Sequence, residues 1–277
     1  MRSFDPQILQ RLYIPPKDAH KPQSGTVMLI GGSQLFHAAS LWALSVISKI
    51  VDMAFYASVE SNNEIVQKAK EEFRNGIVVP RGKIDDYIKD ADVVLIGPGL
   101  PRKEGLEIGD DDTKELTESL LKKYPEKKWV IDGGSLQIMN PELLFDLREV
   151  PILTPHLKEF KILFGIDATP DSALKMAKKY NCVIILKGEF DVVCSSDGGV
   201  KIEGGNSGMT KGGTGDVLAG LVAALYSKND AFLAAQAGSY INKKAGESLF
   251  EKVGYYFNAS DLADEIPRAM KREILGR

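Results

Sequence analysis

Asn206-Ser-Gly-Met-Thr-Lys-Gly-Gly-Thr-Gly-Asp-Val-Leu-Ala-Gly220 changes character half-way along. Its first half is glycine-rich. From Asp216 onward Val217, Leu218, Leu221, Val222 and Leu225 fall at helical spacing. Gly212, Gly213 and Gly215 therefore sit just before or at a helix N-terminus. Glycines there let backbone N–H groups converge on one concavity, and the helix end adds partial positive charge. That is a place for phosphate. Asp216 would repel a phosphate unless it has work to do there, and taking a proton from a hydroxyl is the obvious work. The other reading is an ordinary glycine-rich turn with Asp216 as the helix N-cap.

Outward from this stretch, short apolar runs alternate with helical patterns. Strands are expected at Val27–Ile30, Met53–Val59, Gly76–Val79, Asp92–Ile96, Trp129–Ile131, Ile152–Leu153 and Cys182–Leu186. Helices are expected at Ala39–Val51, Asn63–Arg74, Thr113–Tyr124, Ser172–Tyr180, Asp230–Phe250 and Ser260–Met270, the last with Ser260 and Asp261 as cap candidates. Asp191–Cys194 and Val200–Glu203 flank Ser195-Ser-Asp-Gly-Gly199, a hairpin signal. Residues 101–112 are polar and glycine-containing, suited to a flexible excursion. The strands are apolar throughout rather than alternating, which fits burial on both faces. The order argues for a doubly wound, mostly parallel sheet with helices on both sides, in one α/β domain spanning 25–277. Residues 1–24, rich in Pro, Lys and Gln, read as an arm that packs on the body or on a neighbouring subunit.

The polar residues fall where such a sheet binds ligands. Gly31-Gly-Ser33, Gly97-Pro-Gly99, Asp132, Thr154-Pro-His156 and Lys187 each follow directly after a strand, and in a parallel sheet those positions converge at the carboxyl edge. Loops need Gly and Pro in any case, which accounts for the glycines. It accounts less well for Asp132, His156, Glu159 and Lys187.

Several classes are excluded. A net charge of −3 gives no nucleic-acid surface. No run of about 18 apolar residues is present to span a membrane, and Met1-Arg-Ser-Phe-Asp-Pro6 has no apolar secretory segment. Cys182 and Cys194 lack metal-ligand spacing and read as buried thiols of a reducing cytoplasm. There is no G-x-x-x-x-G-K-[ST], no G-x-S-x-G and no H-E-x-x-H, and Arg102 stands where a dinucleotide fingerprint needs its third glycine. With His20, His37 and His156 as the whole complement, an imidazole metal cage is improbable.

Gly212-Gly-Thr-Gly-Asp-Val-Leu-Ala-Gly220 resembles the C-terminal signature of the ribokinase-like superfamily. Leu153-Thr-Pro-His-Leu-Lys-Glu-Phe160, Ile30-Gly-Gly-Ser33 with Ala38-Ala39, Gly97-Pro-Gly-Leu100, Leu186-Lys-Gly188 and Asn206-Ser-Gly-Met209 are similar, in the same order, to elements of its ADP-dependent NAD(P)H-hydrate dehydratases. The resemblance implies a three-layer α/β/α sandwich. It implies repair of NADH or NADPH hydrated at C6 of the nicotinamide ring, in the S form, with ADP or ATP cleaved and Mg²⁺ required. By it, Ala39, Gly97, Gly99, His156 and Asp216 map to the hydrate side. Lys187, Gly188, Glu189, Phe190, Asp191, Asn206 and Gly215 map to the nucleotide side. Asp216 is the base, and Gly213 and Gly215 belong to the anion hole. Glu159 places Mg²⁺ through water or caps the helix that begins near 157. The resemblance further implies a homotetramer and, since no epimerase domain accompanies these residues, a separate epimerase; the thiols and the missing secretory segment imply a cytoplasmic location.

The chain departs from the family in three places. Asp132-Gly-Gly-Ser-Leu-Gln137 stands where Asp-Ala-Asp-Ala-Leu-Asn is frequent, Ala38-Ala39-Ser40 where Gly-Ala-Pro is, and Asp191 where Thr is. The competing reading is a kinase of thiamine precursors, which shares the Gly-x-Gly-Asp loop. His156 with Glu159 three residues on favours the dehydratase. A non-catalytic nucleotide-binding module is a third reading.

Overall fold

The computed structural model describes residues 1–18, 23–33, 35–69, 76–102 and 112–276. In chain order its elements are β1 (Arg2–Ser3), β2 (Thr26–Ile30), α1 (His37–Ile47), β3 (Met53–Ser58), α2 (Glu60–Ala69), β4 (Ile77–Pro80), α3 (Ile84–Ile88) and β5 (Val93–Ile96). There follow α4 (Thr113–Lys123), β6 (Lys128–Ile131), α5 (Gly133–Ile138), β7 (Ile152–Leu153), α6 (Leu157–Phe164), α7 (Pro170–Tyr180) and β8 (Val183–Leu186). The chain closes with β9 (Asp191–Ser195), β10 (Gly198–Ile202), α8 (Thr214–Tyr226), α9 (Ala231–Val253) and α10 (Ala259–Leu275).

The strands form one sheet of ten in the order β1-β10-β9-β8-β7-β6-β5-β2-β3-β4. Among the described strands only β9 runs against the rest. The apolar runs explain why the sheet has two covered faces. Alternate residues of β2, such as Val27 and Leu29, face a core shared with α1, α8, α9 and α10. Their neighbours Met28 and Ile30 face a second core shared with α3 to α7. Successive side chains point to opposite faces, so a strand buried on both sides must be apolar throughout. The three-layer sandwich is therefore the observed architecture.

Several local expectations shift. Helix α1 starts at His37 and ends at Ile47, earlier than expected at both ends. Helix α2 starts at Glu60, and the expected stretch 70–74 lies outside the described residues, as does nearly all of the excursion at 101–112. Helix α10 is capped not by Ser260 or Asp261 but by Asn258, whose Oδ1 accepts from both their N–H groups at 2.8 and 3.1 Å. Asp261 returns the bond to the Asn258 N–H at 2.8 Å, so the two complete a capping box. Helices α3 and α5 were not foreseen. Gly133 and Gly134 read as a loop but form the first turn of α5. Residues 1–12 are built into the body: Arg2 and Ser3 pair with Val200 and Lys201, and Leu9 and Leu12 are buried in the first core. Cys182 and Cys194 are free and buried.

Candidate active site

The carboxyl ends of β5, β6, β7 and β8 bring the polar residues together. His156 and Lys187 form a parallel backbone bridge, and Lys187 N–H donates to the Pro155 carbonyl at 2.9 Å. One strand over, Thr154 Oγ1 donates to Asp132 Oδ1 at 2.6 Å. The loop at 211–213 then delivers the N-terminus of α8 over this edge. Asp216 lies in the first turn of α8, and the N-cap is Gly213, with no side-chain cap. The N-cap reading of Asp216 is therefore set aside: its carboxylate is not used to close the helix.

At the centre is Lys187. Its Nζ lies 3.1 Å from Asp132 Oδ1 and 3.9 Å from Glu159 Oε2, and all three side chains are largely buried. Burial opposes its charge, but Asp132, Glu159 and Asp216 outweigh it and raise its pKa. The same surroundings act oppositely on Asp216. Burial and then the charge of Asp132, only partly offset by Lys187, push it up to about 7. A carboxyl so poised changes protonation near neutrality, as a general base must. His156 is depressed by burial, which the Glu159 charge only partly counters. Its Nδ1 accepts from the N–H groups of Lys158 and Glu159 at 3.1 and 3.2 Å. The neutral ring therefore carries its proton on Nε2, which faces Glu159 Oε1 at 3.4 Å.

Two cavities open on either side of this centre. The larger, of about 820 Å³, takes in Lys187 to Asp191, the segment 203–207, Gly215, Asn242 and Lys243. The smaller, of about 420 Å³, is bounded by Phe36, Ala39, Gly99, Asp132, His156 and Asp216, among others. Lys187 and Gly215 line both. A ligand in each would meet at the glycine loop. Gly213, at φ 96°, leaves no room for a Cβ: one built there would stand 2.3 Å from Trp42 Cζ3. Gly213→Ala should destabilise the fold by about 1–3 kcal/mol through overpacking alone, with left-handed strain added. Gly212→Ala, with nothing within 4 Å of its Cβ, should be near neutral. Urea unfolding of the two variants checks this.

The structure brings Ala39, Gly99, His156 and Asp216 to the smaller cavity, and Lys187 to Asp191, Asn206 and Gly215 to the larger. Gly97 stands behind the wall rather than in it. At φ 119° its backbone packs so closely that a Cβ would meet the Asp132 carbonyl oxygen at 1.8 Å. Three residues have local tasks as well. Glu159 closes a capping box, accepting from the His156 N–H at 2.9 Å. Asn206 caps a short 3-10 turn and donates to the Gly246 carbonyl at 2.8 Å. Asp191 is buried, accepting from Ser239 Oγ at 2.7 Å and the Gly188 N–H at 3.2 Å. The sequence places Asp132 at the ligand-binding edge but assigns it no role there; the structure puts it against Lys187. Sequence reasoning missed Asn242 and Lys243, which sit in a helix whose small residues drew attention to packing instead.

The fold is the one shared by solved ribokinase-like proteins. A solved ribokinase-like superfamily protein from Enterococcus faecalis V583 superposes with TM-score 0.84 over 98% of this chain and 96% of that one, at 24% identity. The ADP/ATP-dependent NAD(P)H-hydrate dehydratase of Bacillus subtilis, co-crystallised with ATP/Mg²⁺, gives TM-score 0.81 over 98% of each chain, at 22% identity. The NAD(P)H-hydrate dehydratase family model matches residues 27–268, and the chain belongs to that family. A bifunctional NAD(P)H-hydrate repair enzyme of Methanocaldococcus jannaschii is 35% identical over 262 residues, covering 92% of this chain and 50% of that protein. The ADP-dependent (S)-NAD(P)H-hydrate dehydratase of Nitrosopumilus maritimus is 32% identical over 282 residues, 95% of each chain. The chain thus spans about half the length of the bifunctional relatives it matches.

Proposed function

We propose that the protein dehydrates the S form of hydrated NADH or NADPH at the expense of ADP or ATP. The observation that carries this is the pair of cavities joined at Lys187 and Gly215, with Asp216 on the wall of the smaller. The nucleotide occupies the larger and the hydrated nicotinamide the smaller. Asp216 takes the proton of the ring hydroxyl as its oxygen bonds the terminal phosphoryl of ADP, and AMP leaves. The N–H groups at 213–215 and the Lys187 ammonium hold the charge gathered on the transferred group. Phosphate is a far better leaving group than hydroxide. The ring nitrogen lone pair expels it from C6, a C5 proton is lost, and the reduced nicotinamide is restored.

Among the described residues no three His, Cys, Asp or Glu side chains form a metal cage. Mg²⁺ is ordinarily held by one or two carboxylates, waters and substrate phosphates, and Glu159 beside Asp132 fits that pattern. Through water they would hold the cation, which would neutralise phosphate charge.

Incubation with hydrated NADH, ADP and Mg²⁺ should return the near-ultraviolet absorbance of reduced nicotinamide, with AMP and phosphate in equal amounts. Absence of recovery together with phosphorylation of a thiamine precursor would replace this reading by the kinase one. The resemblance also supports a homotetramer working together with an epimerase activity; sedimentation of the purified protein tests the assembly.

A further inference from the structure

One face of α9 carries the walls of the larger cavity. Ser239, Asn242, Lys243, Gly246 and Glu247 recur at helical spacing, and each but Asn242 holds a loop. Ser239 and Lys243 engage Asp191, at the end of the 187–191 segment. The Gly246 carbonyl accepts from Asn206, and Glu247 Oε1 accepts from the Gly205 N–H at 3.0 Å. Lys243 alone of this set reaches both segments: its Nζ donates to the Glu189 carbonyl at 3.3 Å and the Gly204 carbonyl at 3.4 Å. It also pairs with Asp191 Oδ1 at 3.4 Å, with both side chains over nine-tenths buried. These distances exceed the roughly 2.7–2.9 Å usual for an ammonium on a carboxylate. Next to it, Asn242 lines the cavity, and its buried Oδ1 has no hydrogen-bond partner. Buried polar atoms are nearly always paired, so this wall is one that a ligand completes.

We propose that Lys243 is a positioning residue for an adenosine di- or triphosphate, a cross-brace that sets the separation of the two cavity rims. The inference rests on the larger cavity being the nucleotide site. It explains why a carboxylate is tolerated at Asp191: the buried acid is the counter-charge that keeps the brace in place. A buried charge is retained only when paired, so the two residues stand or fall together.

The test is calorimetric titration of the full-length protein with ADP and Mg²⁺, beside steady-state kinetics. Lys243→Met should weaken ADP binding by about 10- to 100-fold, the cost of losing hydrogen bonds from a charged group. That loss should fall on KM for ADP more than on kcat, and NADPH affinity should hold. Since Lys243→Met leaves Asp191 buried and unpaired, Asp191→Asn with Lys243→Met supplies a neutral pair that folds. This double variant should still bind ADP weakly, because the bonds to Glu189 and Gly204 remain lost. Tight ADP binding by the double variant would overturn the brace and leave Lys243 as a mere partner of Asp191. No ADP binding by the unaltered protein would overturn the nucleotide reading of the cavity itself, a result distinct from either variant's.

Discussion

Asp216→Asn should lose about 10²- to 10⁴-fold in kcat, the range for a positioned general base, while nucleotide still binds. In the unaltered protein kcat/KM should rise with pH and level off above a pKa of about 7. A base works only when ionised, so on this reading activity should fail on the acid side. Stability should run the other way. Between the ordinary Asp value of 3.8 and about 7 the folded protein retains a proton that the unfolded chain has shed. Where the folded state holds the extra proton, stability falls as pH rises. Burial of the ionised carboxylate thus works against folding above neutrality, and Asp216→Asn should melt at a higher temperature there, with little difference below pH about 4. Activity lost and stability gained in one substitution is the pattern expected of a strained catalytic group. A variant that melts lower at alkaline pH, or keeps the pH profile, would remove Asp216 from the role.

Lys187→Met should be the most damaging change to the fold. It leaves Asp132 and Glu159, each 3% exposed, without their cation, and breaking a buried pair on one side costs about 3–5 kcal/mol. Chemical denaturation should show that loss. Adding Asp132→Asn should recover part of it by removing one uncompensated charge. Turnover should not recover in the double variant, because the ammonium at the junction of the two cavities is still gone and the carboxylate proposed to share Mg²⁺ with Glu159 is lost as well. Recovery of turnover would mean that Lys187 serves only to neutralise Asp132.

Much of this was legible in the residues. The unbroken apolar runs of β2, β5 and β8 could only be strands buried on both faces, and that required a central sheet. The placing of Asp132, His156 and Lys187 directly after strands put them at one edge, and the bridge between His156 and Lys187 bears this out. What was hidden depends on context. Gly133 and Gly134 are poor helix formers, yet they begin α5 because the neighbouring loop backbone comes too close for a side chain: a Cβ on Gly134 would lie 2.2 Å from the Leu100 carbonyl oxygen. Helix α3 is five residues long, too short for periodicity to register. Lys243 stands in a helix rich in small residues, where a lysine would ordinarily be solvated. Its pairing with Asp191, distant in the chain, and its bonds to the Glu189 and Gly204 carbonyls take it indoors.

The arrangement of β1 bears on how the protein is made. Arg2 and Ser3 add to the sheet beside Val200 and Lys201, and Phe4 stacks on Tyr240 of α9 at 4.6 Å. Residues 2–4 must therefore wait for partners that lie far further along the chain. Long-range pairing of this kind is slow to form, since the intervening loop must close first. Both α9 and β10 border the larger cavity through Lys243 and Lys201, so the elements that this late pairing ties down are the ones that wall that cavity.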